Sequence, residues 1–343
     1  MSNNTVLVTG ASGFIAKHIV VQLLDAGYNV RGSVRNMARA DEIRAVAKAK
    51  CKQPAQLDDR LQFAILDLDE DAGWSKALQG VDALMHTASP FPLVQPKNQD
   101  DVIRPAVEGT LRALRAAKAH GVHRVVMTSS LLSIMLAPKP ADRAVLDERD
   151  WTDVKSPRAT PYAKSKTQAE RAAWEFVRQE APQIALTAIN PAFVLGTPLD
   201  RHIGTSLKVI QRLLKGKDPM LPNFGFPVAD VEDIATMHVR ALQRPASIGQ
   251  RYIGGDEFLW FPQMAAILKA AHPDRRFAIR KAPDIVIRLL GLFDKEIGTI
   301  VDSLGVRDDV SARRARDDLE ITFRPSAESV RATGRFLIDN ALV

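Results

Sequence analysis

Through the first half of the chain, short apolar runs rich in β-branched residues alternate with longer stretches of helical periodicity. The runs are Thr5 to Thr9, Asn29 to Arg35, Leu61 to Leu68, Asp82 to Ala88, Arg124 to Ser130 and Ala185 to Pro191. Between the first two, Phe14, Ile15, Ile19, Val20, Leu23 and Leu24 recur at the spacing that gathers them on one helix face, and Gly27 stands where a left-handed cap would end that helix. Strands separated by helix-length patterns form repeated βαβ units, so the pattern predicts an α/β fold on a parallel sheet. After Asn190-Pro191 the rhythm breaks. A loop bearing Gly and Pro, an amphipathic helix from about Ser206 to Leu214 and the turn-rich Gly216 to Pro227 come before any further strand. A helix near Val231 to Gln243 and a short strand at Arg251 to Ile253 then rejoin the main sheet, and Pro325-Ser326 opens a last helix. The expected organisation is residues 1–194, with about 228–255 rejoining, as a nucleotide-binding unit. About 195–227 and 256–343 form a smaller, mostly helical substrate-binding lobe.

The length of 343 residues agrees with this division, because it exceeds what one hydrophobic core usually supports. A composition of 46% hydrophobic and 25% charged residues is that of a soluble globular protein, and no run approaches the roughly eighteen apolar residues of a membrane span. Met1-Ser2-Asn3-Asn4-Thr5 lacks the basic and apolar regions of a signal peptide, so a cytoplasmic address is expected. Cys51 is the single cysteine, which excludes an internal disulfide and a thiolate metal site; no metal is expected. Lys and Arg outnumber Asp and Glu by 47 to 40, but the basic residues are interspersed with acidic ones and form no aromatic-laced basic helix. A nucleic-acid partner is therefore not expected. The reading is a monomer or homodimer acting on a small molecule.

The chemistry begins at Gly10-Ala11-Ser12-Gly13-Phe14-Ile15-Ala16, which joins the first strand to the first helix. There, backbone amides and the positive helix end face a pyrophosphate: Gly10 permits the tight turn, Gly13 lets the phosphate approach, and Ala16 lets helix pack on strand. In this context the parallel sheet becomes a doubly wound, Rossmann-type dinucleotide fold. An acidic residue usually ends the second strand of an NAD site, but this one ends in Arg35, followed by Arg39. Two guanidinium groups suit a phosphorylated ribose, so NADP(H) is the expected cofactor. Asp67 closes the third strand, where it either accepts from adenine or caps a turn. Thr87, Ala88 and Ser89 follow the fourth strand beside the expected ribose, and His86 reads as a hydrogen-bonded core residue.

Thr128-Ser129-Ser130 ends the fifth strand, and Tyr162 and Lys166 follow, four apart, at the start of a helical pattern opened by Pro161. That spacing projects both from one helix face. A free phenol titrates near pH 10, so a Lys166 ammonium is expected to lower the pKa of Tyr162 toward neutrality. Ser130 stands where a carbonyl oxygen needs a donor.

Together these residues resemble the extended short-chain dehydrogenase/reductases, specifically the branch of dihydroflavonol, cinnamoyl-CoA and fungal methylglyoxal reductases. The likeness rests on Val8 to Ala16, Arg35, His86-Thr87-Ala88-Ser89-Pro90-Phe91, Val107-Glu108-Gly109-Thr110, Thr128-Ser129-Ser130, Tyr162-Ala163-Lys164-Ser165-Lys166 and Asn190-Pro191. It implies Ser130, Tyr162 and Lys166 as catalytic triad, Arg35 and Arg39 at the 2′-phosphate, Asp67 and Leu68 at adenine, and Pro191 to Val194 along the nicotinamide. The activity it implies is NADPH-dependent reduction of an aldehyde or ketone, with Tyr162 as proton donor. The asparagine that many such enzymes use as a proton relay has no counterpart near Pro105-Ala106. Phe91, Leu131, Phe193, Phe224 and Phe226 are candidate pocket walls. Two rivals share the fold, an epimerase or dehydratase of nucleotide sugars that retains NAD and a non-catalytic NADPH sensor. Arg35 argues against the first, and the Ser130, Tyr162 and Lys166 set against the second.

Overall fold

The computed structural model describes residues 4–89 and 98–343. Seven strands form a wholly parallel sheet: β1 Thr5–Val8, β2 Asn29–Val34, β3 Leu61–Ile65, β4 Ala83–His86, β5 Arg124–Thr128, β6 Ala185–Pro191 and, out of sequence, β9 Arg251–Gly254. Their order is β3-β2-β1-β4-β5-β6-β9. The chain therefore winds outward from β1 in one direction and returns at β4 to wind in the other, which opens a crevice at the carboxyl ends of β1 and β4. Alternation along β1 sends Val6 and Val8 into a core with Ile19, Leu23 and Ile234, and Leu7 into a second core with Leu84, Leu114 and Phe176. Helices Phe14–Asp25 and Val231–Gln243 cover the first face; Asp100–Ala119 and Pro161–Gln179 cover the second.

The expected strand runs each contain a strand, but five of the six stop short of their predicted ends. Thr9, Arg35, Leu66 to Leu68, Thr87 and Ala88, and Ser129 and Ser130 leave the ladder and become loops at the crevice. The helix Val231–Gln243 lies where the periodicity puts it, and the last helix runs over Ser326–Asp339 behind Pro325.

One correction concerns the region after Pro191. The pattern predicts no strand after Pro191 except Arg251 to Ile253, yet β7 Phe193–Leu195, β8 Gly225–Asp230 and β10 Glu257–Trp260 form a separate sheet of order β10-β8-β7. Gly225 and Pro227 disguise β8 as a turn. Pro227 is tolerated because β8 meets β10 over Gly225 to Val228 and β7 only from Val228 onward, so Pro227 pairs on one side alone. Leu195, Val228 and Leu259 of this sheet pack on Ile210, Leu268, Val330 and Leu337 from three helices, giving a third core. No helix among the described residues is long and apolar enough to cross a membrane.

Candidate active site

The glycine loop closes as its sequence requires. Gly10 has φ +63°, in the left-handed region, and a Cβ there would sit 3.0 Å from the Cβ of Ala88. The N–H of Gly13 donates to the carbonyl of Gly10 at 2.9 Å, and the N–H of Gly10 donates to Ser33 Oγ at 3.0 Å. Helix Phe14–Asp25 starts at Gly13 with no side chain capping its first turn, so its leading amides and positive dipole end face the crevice. The end of β4 is tied to this loop. Thr9 Oγ1 accepts from the N–H groups of Thr87 and Ala88, each at 3.1 Å. His86 Nδ1 lies 3.1 Å from the same oxygen, and burial pulls its pKa down to about 4, with the Lys166 charge adding to the effect. His86 is thus the hydrogen-bonded core residue that its sequence context predicts, and burial keeps it neutral.

On the other side of the crevice, Ser130 follows β5, and its Oγ accepts from the N–H of Leu132 at 3.2 Å. Tyr162 and Lys166 occupy the first turns of helix Pro161–Gln179. Thr160 Oγ1 caps that helix by accepting from the Ala163 N–H at 3.2 Å, and Pro161 fits its first position. Lys166 Nζ stands 5.9 Å from the Tyr162 ring centroid.

A cavity of about 490 Å³ joins the two sides. Gly10, Gly13, Phe14 and Ile15 line one end, and Ser130, Tyr162 and Lys166 line the other. Thr87, Ser89, Pro191 and Val194 lie along it. Leu131, Phe193 and Phe226 form apolar wall; Phe224 does not line it but packs edge-on against Phe226, with centroids 4.7 Å apart. Phe91 lies outside the described residues.

The remaining predicted cofactor contacts sit beyond the cavity wall. Ser12 is half-buried in the loop, and Ala88 backs Gly10. Arg35 is exposed just past β2, two residues beyond the Ser33 that supports Gly10. Arg39 is engaged, at 2.8 Å from Glu42 Oε2 and 2.9 Å from His202 Nε2. Asp67 Oδ1 accepts from the N–H of Asp69 at 3.0 Å, which is the turn-capping role weighed for it. The Leu68 carbonyl accepts from Arg112, and a Cβ on Gly109 would sit 3.2 Å from Leu68 Cβ, which accounts for a glycine in the Val107 to Thr110 motif.

The electrostatics reverse one expectation. Burial pushes the Tyr162 phenol above its ordinary pKa instead of Lys166 drawing it down. The cation meant to stabilise its anion is itself desolvated. Burial lowers Lys166 to about 8, against the opposing charge of Glu170. Glu170 was not singled out in the sequence, although its spacing of four from Lys166 places it on the same helix face. Burial also pushes the Cys51 thiol up to about 11, so it stays protonated.

Residues 6–254 match the sequence model of the NAD dependent epimerase/dehydratase family. The chain belongs to that family, the extended short-chain dehydrogenase/reductases. Cinnamoyl-CoA reductase 1 of Arabidopsis thaliana is 32% identical over 277 residues, 80% of this chain and 76% of that protein. Ketoreductase azaE of Aspergillus niger is 33% identical over 291 residues, 78% and 82% of the two chains. Among solved structures, yeast methylglyoxal/isovaleraldehyde reductase Gre2 complexed with NADPH superposes with TM-score 0.79 at 26% identity, covering 99% of this chain and 100% of that one. UDP-glucose 4-epimerase of Thermotoga maritima, with TM-score 0.73 and 16% identity, shares the fold alone.

Proposed function

We infer that this member of the family is an NADPH-dependent reductase that converts an aldehyde or ketone to an alcohol, with Tyr162 as the proton donor. The observation that carries the reading is the single cavity holding the glycine loop at one end and Ser130, Tyr162 and Lys166 at the other. The reductase names of relatives above 30% identity support it. So does the NADPH complex of the structural neighbour.

The residues present fit a phosphorylated dinucleotide. Gly10, Gly13 and the uncapped start of helix Phe14–Asp25 suit a diphosphate, and no carboxylate stands at the end of β2 to repel a 2′-phosphate from Arg35. Arg39 would join by turning from Glu42 and His202. Asp67 and Leu68 would border the adenine; Thr87, Ala88, Ser89, Pro191 and Val194 would line the remainder. When bound, NADPH supplies the hydride for the carbonyl carbon.

Ser130 Oγ–H holds the carbonyl oxygen, and Tyr162 gives it a proton. A phenol raised by burial is fully protonated at neutral pH, the state a donor needs, and the Lys166 ammonium stabilises the phenolate left behind. Leu131, Phe193 and Phe226 favour an uncharged, apolar carbonyl over a nucleotide sugar. Residues of about 195–227 and 256–343, which supply Phe226 and the third core, act as the substrate-side lobe. The remaining expectations, a cytoplasmic monomer or homodimer acting without nucleic acid, go with this reading.

The test is Tyr162→Phe, which removes the proton donor with little change of shape. Against a panel of benzaldehyde, phenylglyoxal, ethyl benzoylacetate and a flavanonol, kcat is expected to fall by about two to four decades while NADPH still binds. Near-normal turnover of the variant contradicts the assignment.

A further inference from the structure

The helix face that carries Tyr162 and Lys166 continues one turn to Glu170, which is 0% exposed. A carboxylate cut off from water is costly unless its charge is matched and its lone pairs are used. Both conditions are met. Arg251, reaching across from β9, donates Nε to Oε1 at 2.6 Å and Nη2 to Oε2 at 3.3 Å. Ser133 Oγ donates to Oε2 at 2.6 Å, Asn190 Nδ2 donates to it at 2.7 Å, and Ser129 Oγ donates to the same oxygen. Trp174 Nε1 donates to Oε1 at 3.3 Å. Arg251 is fixed in turn by Nη1 bonds to the carbonyls of Glu148 and Asp150, at 2.9 and 2.7 Å, and its guanidinium lies 3.7 Å from the Trp151 ring centroid.

Ser129 lines the cavity, and Ser133 and Asn190 stand next to residues that line it. Ser129 precedes Ser130, Asn190 precedes Pro191, and Ser133 ends the short turn that Ser130 begins. Asn190 Nδ2 also reaches the carbonyl oxygen of Ser130 at 3.3 Å. One carboxylate thus gathers the ends of β5 and β6, strand β9 and the helix of the Tyr-Lys pair. We propose that the Glu170–Arg251 pair is a positioning device that fixes Ser130 and the end of β6 against Tyr162 and Lys166. This rests on the reading of those three residues as catalytic.

A cross-link made through uncharged groups would have no electrical effect on the site. Glu170 has one, because its negative charge is the neighbour that opposes the burial-driven loss of the Lys166 proton. Other charged or titratable groups around Lys166 and Glu170 are Arg251, Glu148 and Arg314 from the β9 side, Tyr162 on the helix itself and His86 from β4. None of these raises Lys166; Glu170 does. Removing the Glu170 charge lets Lys166 deprotonate at lower pH, so the alkaline limb of kcat moves down.

The experiment compares wild type, Tyr162→Phe, Glu170→Gln and the double variant Glu170→Gln with Arg251→Gln, using NADPH and the fastest carbonyl of the panel. For Glu170→Gln the expected result is a kcat loss of about tenfold or more, NADPH affinity within about threefold of wild type, and an alkaline limb at lower pH. The single variant leaves a buried guanidinium unpaired and is the one at risk of misfolding; the double variant removes both charges and carries the same expectation. Folded variants of lower Tm that keep wild-type kcat and the wild-type alkaline limb overturn the proposal. If Tyr162→Phe is inactive while they do so, only the positioning role falls. Turnover that survives Tyr162→Phe overturns the catalytic reading and the proposal together.

Discussion

Arg35 and Arg39 stand side by side in the sequence argument and differ in the folded chain. Arg35 is exposed beyond the end of β2, whereas Arg39 shares Glu42 and His202. On the proposed reading Arg35 would carry the larger share of 2′-phosphate recognition, since it gives up no partner among the described residues. A charge-assisted hydrogen bond contributes about 1.5 to 3 kcal/mol, so Arg35→Ala should reduce the NADPH-over-NADH ratio of kcat/KM by about tenfold or more. An unchanged ratio would place the discrimination elsewhere. The same scale shows what single residues conceal. Ser130, Tyr162 and Lys166 were legible from order and spacing, but Glu170 and its partner Arg251 are eighty-one positions apart, and a long-range buried ion pair leaves no local pattern. The direction of the Tyr162 shift was likewise out of reach, because it depends on burial, not on the neighbouring Lys166 alone.

At the scale of elements, apolar periodicity located every strand of the main sheet but overran most of their ends. The overrun has a physical reason: residues beyond the strand ends stay half-buried or buried, Leu66 in the second core and Thr87 and Ser130 along the cavity, so the hydrophobic pattern continues past the strand. The three strands of the small sheet were hidden because β7 has three residues and β8 contains Gly225 and Pro227. The loop between β1 and helix Phe14–Asp25 makes the tight turn at Gly10 that its sequence predicts, and this turn makes a sharp prediction. Gly10→Ala puts a Cβ 3.0 Å from Ala88 Cβ in a left-handed backbone, a strain of about 1 to 2 kcal/mol before any neighbour moves. Thermal unfolding should show that loss, and NADPH should bind more weakly because the loop shifts. A variant with wild-type Tm and affinity would mean that the turn tolerates a side chain.

Over the whole molecule, three buried imidazoles set the response to acid. His18, His86 and His238 are each at most 4% exposed, and burial holds each near a pKa of about 4. In the unfolded chain they titrate near 6.5, so below that pH the unfolded state binds protons the folded state refuses. Their contribution is present above pH 6.5 and is lost as pH falls toward about 4, on the order of 3 kcal/mol for each at full extent. Asp233, raised to about 6 by burial against the pull of Arg324, works in the opposite sense over part of the same window. Glu148, also raised by burial, opposes the loss as well; the three imidazoles outweigh these two carboxylates, so urea midpoints should fall between about pH 6.5 and 4.5, and a flat profile would contradict the buried neutral state of the imidazoles. The glycine loop and the Ser130, Tyr162 and Lys166 set around one cavity also converge on a single chemical claim, the proposed transfer of a hydride to a carbonyl with release of the oxidised cofactor. NADPH carrying deuterium at the transferable C4 position tests it directly, with mass spectrometry of the alcohol formed from phenylglyoxal. The account predicts one deuterium on the new carbinol carbon and one free NADP+ per alcohol, repeated over many turnovers. Unlabelled product, or a protein that holds NAD without exchange and interconverts a nucleotide sugar instead, would contradict it.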